Sequence, residues 1–462
     1  MDGLSNLPNE VLCHILSFLT TKEAALTSVL SKRWLNLWIL VPNLDIDDSV
    51  FVHPEFGKRE RDGIIECFMD FVDKVLTLQG DSPIKKFSLK CETGIDTNRV
   101  NRWICNVLQR GVSRLELVLD FPRWDMEKEL YRLPEELFVS KTLVELKLRS
   151  KYGIDWWNES ECNFLPMLKT LDIDSVWVII LCDPFEMFSS CFPVLEELHL
   201  AGMEWSDIHE IASSASLKKL TIYASYEYVY ADFLAPKSIS FDAPSLVYFE
   251  YCDCVAADYP KVNLMSVVEA QLKLKVTENE VKLMRARNVE DDVVLRLSNV
   301  WKLMNGMRNV QKLFLSADTL EVLSLCCESI PVFDKLKFLR IKSDKERGWQ
   351  AMPALLRNCS HLETLVFEGI LHCKTNKCGD ACNCISRKDK RRSLSSCRVK
   401  KMQINGFRGT FREMEMIKHF LESFRWLKEM KIYVVENNPT RLARELLSGY
   451  DKYISCTVQF LV

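Results

Sequence analysis

At 462 residues the chain exceeds the roughly 250–300 that one hydrophobic core usually holds, so several domains or a stacked repeat are expected. Its formal net charge of −3 gives no electrostatic case for a nucleic-acid or anionic-membrane partner. The most apolar run, Val176 to Cys182, falls far short of the roughly 18 residues that a membrane-spanning helix needs. Met1-Asp2-Gly3-Leu4 lacks the basic start of a secretory signal, so the 18 cysteines read as reduced thiols of the cytosol or nucleus.

The chain opens on a helical pattern. Leu4-Ser5-Asn6-Leu7-Pro8 introduces Val11, Leu12, Ile15, Leu16 and Leu19 on one face, with Pro8 tolerated in the first turn. Thr20 and Glu23 form a capping box for a second short helix through Val29. Ser31 is placed to cap a third, carrying Arg33, Trp34, Leu37 and Trp38. Three short helices make a poor independent core, and Trp34 and Trp38 bring more apolar area than so small a unit hides, so a partner is expected.

Leu7-Pro8-Asn9-Glu10-Val11-Leu12, Ile15-Leu16-Ser17-Phe18-Leu19, Ser28-Val29-Leu30-Ser31-Lys32-Arg33-Trp34 and Leu37-Trp38 together resemble the F-box of plant F-box proteins almost position by position. The resemblance implies docking on a Skp-type adaptor and, through it, on a cullin-RING ubiquitin ligase. Leu7, Pro8, Val11, Leu12, Ile15 and Leu16 would then supply apolar contacts and helix entry, with Trp34 as second anchor. The plainer alternative is a helical cap closing a stack of repeats.

Beyond it, Pro42-Asn43-Leu44-Asp45-Ile46 suggests a first strand, and Ile64 to Leu76 a helix of about four turns. A helix bearing Val100, Trp103, Ile104 and Val107 stops at Gly111. Through these segments and the rest of the chain runs a phrase of the form L-x-x-L-x-L. Allowing other apolar residues for Leu, it begins at Ile84, Val112, Leu143, Leu168, Leu195, Leu217, Leu246, Val267, Val310, Leu336, Leu362, Val399 and Leu427.

Ten of the twelve intervals lie between 21 and 31 residues, and the two long ones are 43 and 37. A short strand recurring at that period is the mark of leucine-rich repeats, which stack into a curved parallel sheet over one shared core. Side chains between the apolar ones line the other face. That face would carry Glu145, Lys147, Arg149, Thr170, Asp172, Asp174, Glu197, His199, Lys219 and Thr221. A target-binding region of mixed charge and aromatic character is expected there at Tyr223, Tyr248, Glu250, Phe338, Arg340 and Lys342.

Two stretches interrupt the repeat. Val294, Leu297, Trp301 and Met304 are spaced for one extra-long helix within residues 278–305. His372, Cys373, Cys378, Cys382, Cys384 and Cys397 are close enough to make a zinc site conceivable. They lack paired C-x2-C knuckles, however, so no metal and no cofactor is expected. The basic run Arg387 to Arg392 reads as a solvated loop.

After this loop, Thr410 and Glu413 cap a helix bearing Met414, Ile417, Leu421 and Phe424. Cys382-Asn383-Cys384, Ser396-Cys397-Arg398-Val399-Lys400, Ile417-Lys418-His419-Phe420-Leu421 and Leu427-Lys428-Glu429-Met430 resemble the FBD region of plant F-box proteins.

The expected fold is therefore α/β. A three-helix F-box at 1–45 precedes a leucine-rich-repeat solenoid at 46–371, a Cys-rich basic loop at 372–393 and an FBD region at 394–462 that continues the solenoid. No nucleotide, nucleophile-elbow or HExxH signature is present, so no enzyme is expected. The leading expectation is a substrate-recognition adaptor of a Skp-cullin-F-box ligase. The alternative is a stand-alone repeat scaffold without ligase coupling.

Overall fold

A computed structural model describes residues 7–49, 63–92, 95–121, 131–155, 164–179, 191–204, 211–224, 238–285, 292–325, 329–344, 347–370, 394, 397–435 and 456–461. Two compact units are present: Met1–Ser206 with Tyr223–Ala231, and Asp207–Ile222 with Asp232–Val462.

The first unit begins with helices α1 (Asn9–Leu16) and α2 (Thr21–Leu26). Both halves of the expected capping box form: the Thr20 hydroxyl accepts from the Glu23 N–H, and the Glu23 carboxylate accepts from the Thr20 N–H at 3.0 Å. The third expected helix is instead a run of turns ending in the 3-10 helix Leu37–Leu40. The N–H groups of Trp34, Leu37 and Val41 each bond to a carbonyl three residues back. That tighter winding eclipses positions three apart, which sets Trp34 and Leu37 together in the interior. The Thr21 hydroxyl accepts from the Asp45 N–H at 2.8 Å, and the Gln79 amide donates to the Val41 carbonyl at 3.2 Å. These bonds fasten the front helices to the repeats.

Strand β1 (Asn43–Asp47), helix α3 (Ile64–Gln79), β2 (Lys86–Cys91), helix α4 (Thr97–Gln109) and β3 (Arg114–Leu119) follow as strand and helix in alternation. Next come β4 (Glu145–Ser150), β5 (Thr170–Ile179) and β6 (Glu197–Glu204). All neighbours pair in parallel. The register stacks Leu44, Phe87, Leu115, Leu146, Leu171 and Leu198 in one row and Ile46, Leu89, Leu117, Leu148, Ile173 and Leu200 in a second. Every one of these side chains is 2% exposed or less. No single strand buries such a row; only its neighbours do.

Of strand β7 (Lys219–Ala224), Tyr223 and Ala224 belong to the first unit and the residues before them to the second. The second unit carries β8 (Tyr248–Cys252), β9 (Glu269–Leu272), β10 (Lys312–Leu315), β11 (Phe338–Lys342), β12 (Thr364–Glu368), β13 (Lys401–Phe407), β14 (Glu429–Val434) and β15 (Thr457–Leu461). The same parallel stacking repeats here, with Tyr251, Leu272, Leu315, Ile341, Phe367, Ile404, Ile432 and Phe460 in one row.

Residues 278–306 correct the expectation of one long helix, since three helices are found: α5 (Glu278–Arg285), α6 (Asp292–Ser298) and α7 (Val300–Gly306). The Asn299 N–H bonds three residues back to Arg296, and its side-chain amide donates to the Ala257 carbonyl at 2.9 Å. This turn rephases the helix, so Leu297 and Met304 face inward while Trp301 is exposed. Helices α8 (Ala317–Leu323), α9 (Met352–Arg357) and α10 (Phe411–Ser423) complete the unit, and Thr410 and Glu413 form the second expected capping box.

No helix among the described residues is long and apolar enough to cross a membrane. His372, Cys373, Cys378, Cys382, Cys384 and the basic run lie outside the described residues. Cys397 is buried, which pushes its thiol up to about 11.

Candidate docking surfaces

The front helices divide the expected contact residues into two sets. Leu12 is 0% exposed, Leu16 1% and Trp34 6%. In the free chain these three are packed inside the front helices rather than on their surface. Two stripes only one residue apart in sequence lie about 100° apart on a helix, and α1 packs the Leu12 and Leu16 stripe against the 3-10 helix. Val11, Ile15 and Pro8 remain outward, and Leu7 is half-buried. The Arg33 guanidinium donates to the Leu7 carbonyl and holds the chain where it enters α1.

Sequence reading missed the larger part of this outer surface. Phe18, Val29 and Leu30 are 77%, 84% and 65% exposed, and Leu26, Leu35 and Leu40 stand out with them. Nine of the twenty-one exposed large apolar residues among the described residues fall between Val11 and Leu40, a concentration found in no other stretch of that length. An apolar surface of that density marks an interaction site. Its signal was the excess of apolar residues over what one short helical face can bury.

On the polar side of the sheet, the expected residues are distributed between the two units. Tyr223 belongs to the first, with its ring 5.8 Å from that of His199. The charges on β4 and β5 largely neutralise one another: Arg149 pairs with Asp172 at 2.8 Å and with Asp174 at 3.0 Å, and Lys147 pairs with Glu145 at 2.7 Å.

In the second unit the Tyr248 hydroxyl donates to Glu250 at 2.7 Å and accepts from the Gln271 amide at 3.0 Å. Lys273 donates to Glu250 at 2.7 Å, and the Lys219 ammonium lies 5.5 Å from the centre of the Tyr248 ring. Glu250 is thereby buried, with its carboxylate taken up by Tyr248 and Lys273. Phe338 and Arg340 are half-buried and Lys342 is exposed. Arg340 pairs with Glu368 and lies 5.7 Å over the ring of Phe314, which in turn is 5.7 Å from that of Phe338.

Arg340 and Lys342 line an open hollow of about 400 Å³ with Phe314, Gln271, Lys273 and Lys275. The last four went unnamed at first reading, although the phrases beginning at Val267 and Val310 place Gln271 and Phe314 on the polar side by the same alternation.

The F-box domain profile matches residues 4–45, and the FBD profile matches residues 396–432. An F-box/LRR-repeat protein of Arabidopsis thaliana is 57% identical over 476 residues, spanning 100% of this chain and 98% of the relative. The chain belongs to the plant F-box/LRR-repeat family. An F-box protein of the same plant is 54% identical over 478 residues, with 100% and 98% covered, and a second F-box/LRR-repeat protein is 51% identical over 476 residues, with 100% and 99% covered. The apolar front surface is thus that of an F-box, and the FBD match spans β13, α10 and the start of β14. In this F-box/LRR-repeat chain the FBD stretch stacks directly onto the repeats, through Met402 on Leu365 and Met430 on Met402.

Proposed function

We propose that this F-box protein is the non-catalytic, target-recognising subunit of a Skp-cullin-F-box ubiquitin ligase. Its front helices would grip a Skp-type adaptor, and its repeats would hold a target protein. The concentration of exposed apolar side chains between Val11 and Leu40 carries this reading, because covering such a surface with a partner removes it from water at a gain in free energy. Transfer chemistry would reside in the partner proteins, and this chain would contribute proximity by holding target and ligase together. The absence of a nucleotide-binding or nucleophile signature in the sequence agrees with that division of labour.

Pull-down of a purified Skp-type adaptor tests the docking half. Leu7→Ala with Pro8→Ala removes the helix entry and one apolar contact, and retained adaptor is expected to fall at least tenfold with the thermal midpoint of the chain unchanged. Undiminished capture by the folded double variant would overturn the assignment.

A further inference from the structure

The hollow on the polar side of the second unit's sheet combines features that pair side chains alone do not require. Phe314 gives it an apolar floor, beside the thiol of Cys252. Burial pushes that thiol up, which keeps it neutral and adds to the apolar floor. Four cations line the hollow, Lys273, Lys275, Arg340 and Lys342, against two carboxylates, Asp318 and Glu368, with Glu250 bonded to Lys273 at its edge.

Both carboxylates are already engaged, Asp318 by Arg347 and Glu368 by Arg340 and the Asn405 amide. Burial pushes the Lys275 ammonium down, and an arriving anion would oppose that shift. A volume of about 400 Å³ lies at the small end of ligand pockets, enough for one large side chain with its neighbours.

We infer that this hollow receives an acidic segment of the target protein, with one aliphatic or aromatic side chain seated over Phe314 and flanking carboxylates facing Lys273, Arg340 and Lys342. The inference rests on the proposed function in placing the target on the repeats. An extended segment suits the site because the sheet continues the same mixture along its strands, with Tyr248 beside Gln271 and Phe338 beside Phe314. Arg340 sits at the meeting point of the two kinds of contact. Its guanidinium covers the ring of Phe314, and its planar fork, which holds Glu368 in the free chain, is the geometry carboxylates bind best. An arriving carboxylate would share or displace that pair.

The test uses the full chain and two fluorescein-labelled peptide pools, nine residues long, with a single central Phe or Leu among Asp and Glu in one pool and among Lys in the other. Fluorescence anisotropy is expected to show binding of the acidic pool alone, weakening as salt rises. Lys342→Glu, an exposed position, is expected to weaken it about tenfold without moving the thermal midpoint, and Arg340→Glu with Lys342→Glu to reduce it to background. If the double variant does not fold because Glu368 loses its partner, the single variant still decides.

Equal binding of the Lys pool, or acidic binding unchanged by Lys342→Glu, would overturn the proposal. So would citrate binding as tightly as the acidic pool, which would make the hollow a small-anion site. Adaptor capture measured on the same sample separates the two readings: its failure counts against ligase coupling and leaves the peptide result standing.

Discussion

Val11→Asp with Ile15→Asp is expected to abolish adaptor binding while leaving the chain folded. Both side chains project from α1 into the outer surface, so in the free chain the substitutions place carboxylates in water at little cost. In the complex the same carboxylates would be buried without partners. At roughly 2 kcal/mol for each central apolar contact, the pair amounts to about a thousandfold loss of affinity.

The comparison that gives this result its meaning is Leu12→Ala, one residue away on the inward stripe. Leu12 is fully buried, so its truncation is expected to cost about 2–5 kcal/mol of local stability and to loosen the front helices themselves. Calorimetric titration with adaptor, alongside hydrogen exchange of residues 9–41, separates the two effects. Val11→Asp with Ile15→Asp should remove binding with exchange unchanged, whereas Leu12→Ala should raise exchange.

Glu321→Leu is expected to destabilise the second unit by about 3–5 kcal/mol. Glu321 lies on α8 with no exposed surface, and its carboxylate accepts from the Arg285 guanidinium at 2.8 Å, the Gly348 N–H at 2.7 Å and the Gln350 amide at 3.0 Å. These three bonds tie α5, α8 and the segment before α9 together. Arg347 adds bonds to Asp318 and Glu278 alongside.

Gly348 is fixed there for two reasons. Its φ is +89°, and a Cβ on it would lie 2.7 Å from the Cβ of Leu320. Removing the carboxylate leaves the Gly348 N–H and a half-buried guanidinium without their charged acceptor, and Leu restores neither. Glu321→Gln keeps one acceptor oxygen and should fall between the two. Thermal unfolding with limited proteolysis between residues 278 and 350 is the readout, and an unchanged midpoint in Glu321→Leu would show that the carboxylate does not hold these helices. Adaptor binding should persist, since the proposed adaptor surface belongs to the first unit.

Most of the repeat architecture was legible because one physical rule generates it. All thirteen phrases yield a strand that begins two residues after the phrase's first apolar position. That first residue is buried in each, from Ile84 to Leu427, and the two that follow it enter the stacked rows. Parallel stacking demands this spacing at every level, so the pattern survives variation in loop length.

Features decided by tertiary contact were less legible. The choice between Val11 and Leu12 for the interior depends on where the 3-10 helix and Val41 lie, which periodicity on α1 does not encode. The winding of residues 31–40 depends on turning Trp34 and Leu37 inward together. The break at Asn299 depends on a carbonyl 42 residues earlier. Strand β15 has no complete phrase ahead of it, and Phe460 is recognisable only through its place beside Ile432. In the hollow, the polar alternation placed Arg340 and Lys342 correctly on one side, but which strands bring cations together over Phe314 follows from the register of β9, β10 and β11.

The central claim is that residues 7–40 form the adaptor-binding surface, and hydrogen exchange on the purified full chain with and without a Skp-type adaptor measures it most directly. A one-to-one complex is predicted, with slowed exchange confined to α1, α2 and the turns through Leu40, and no change in strands β8 to β14. Absence of a complex, or protection that falls on the repeats while residues 7–40 exchange as in the free chain, would contradict it.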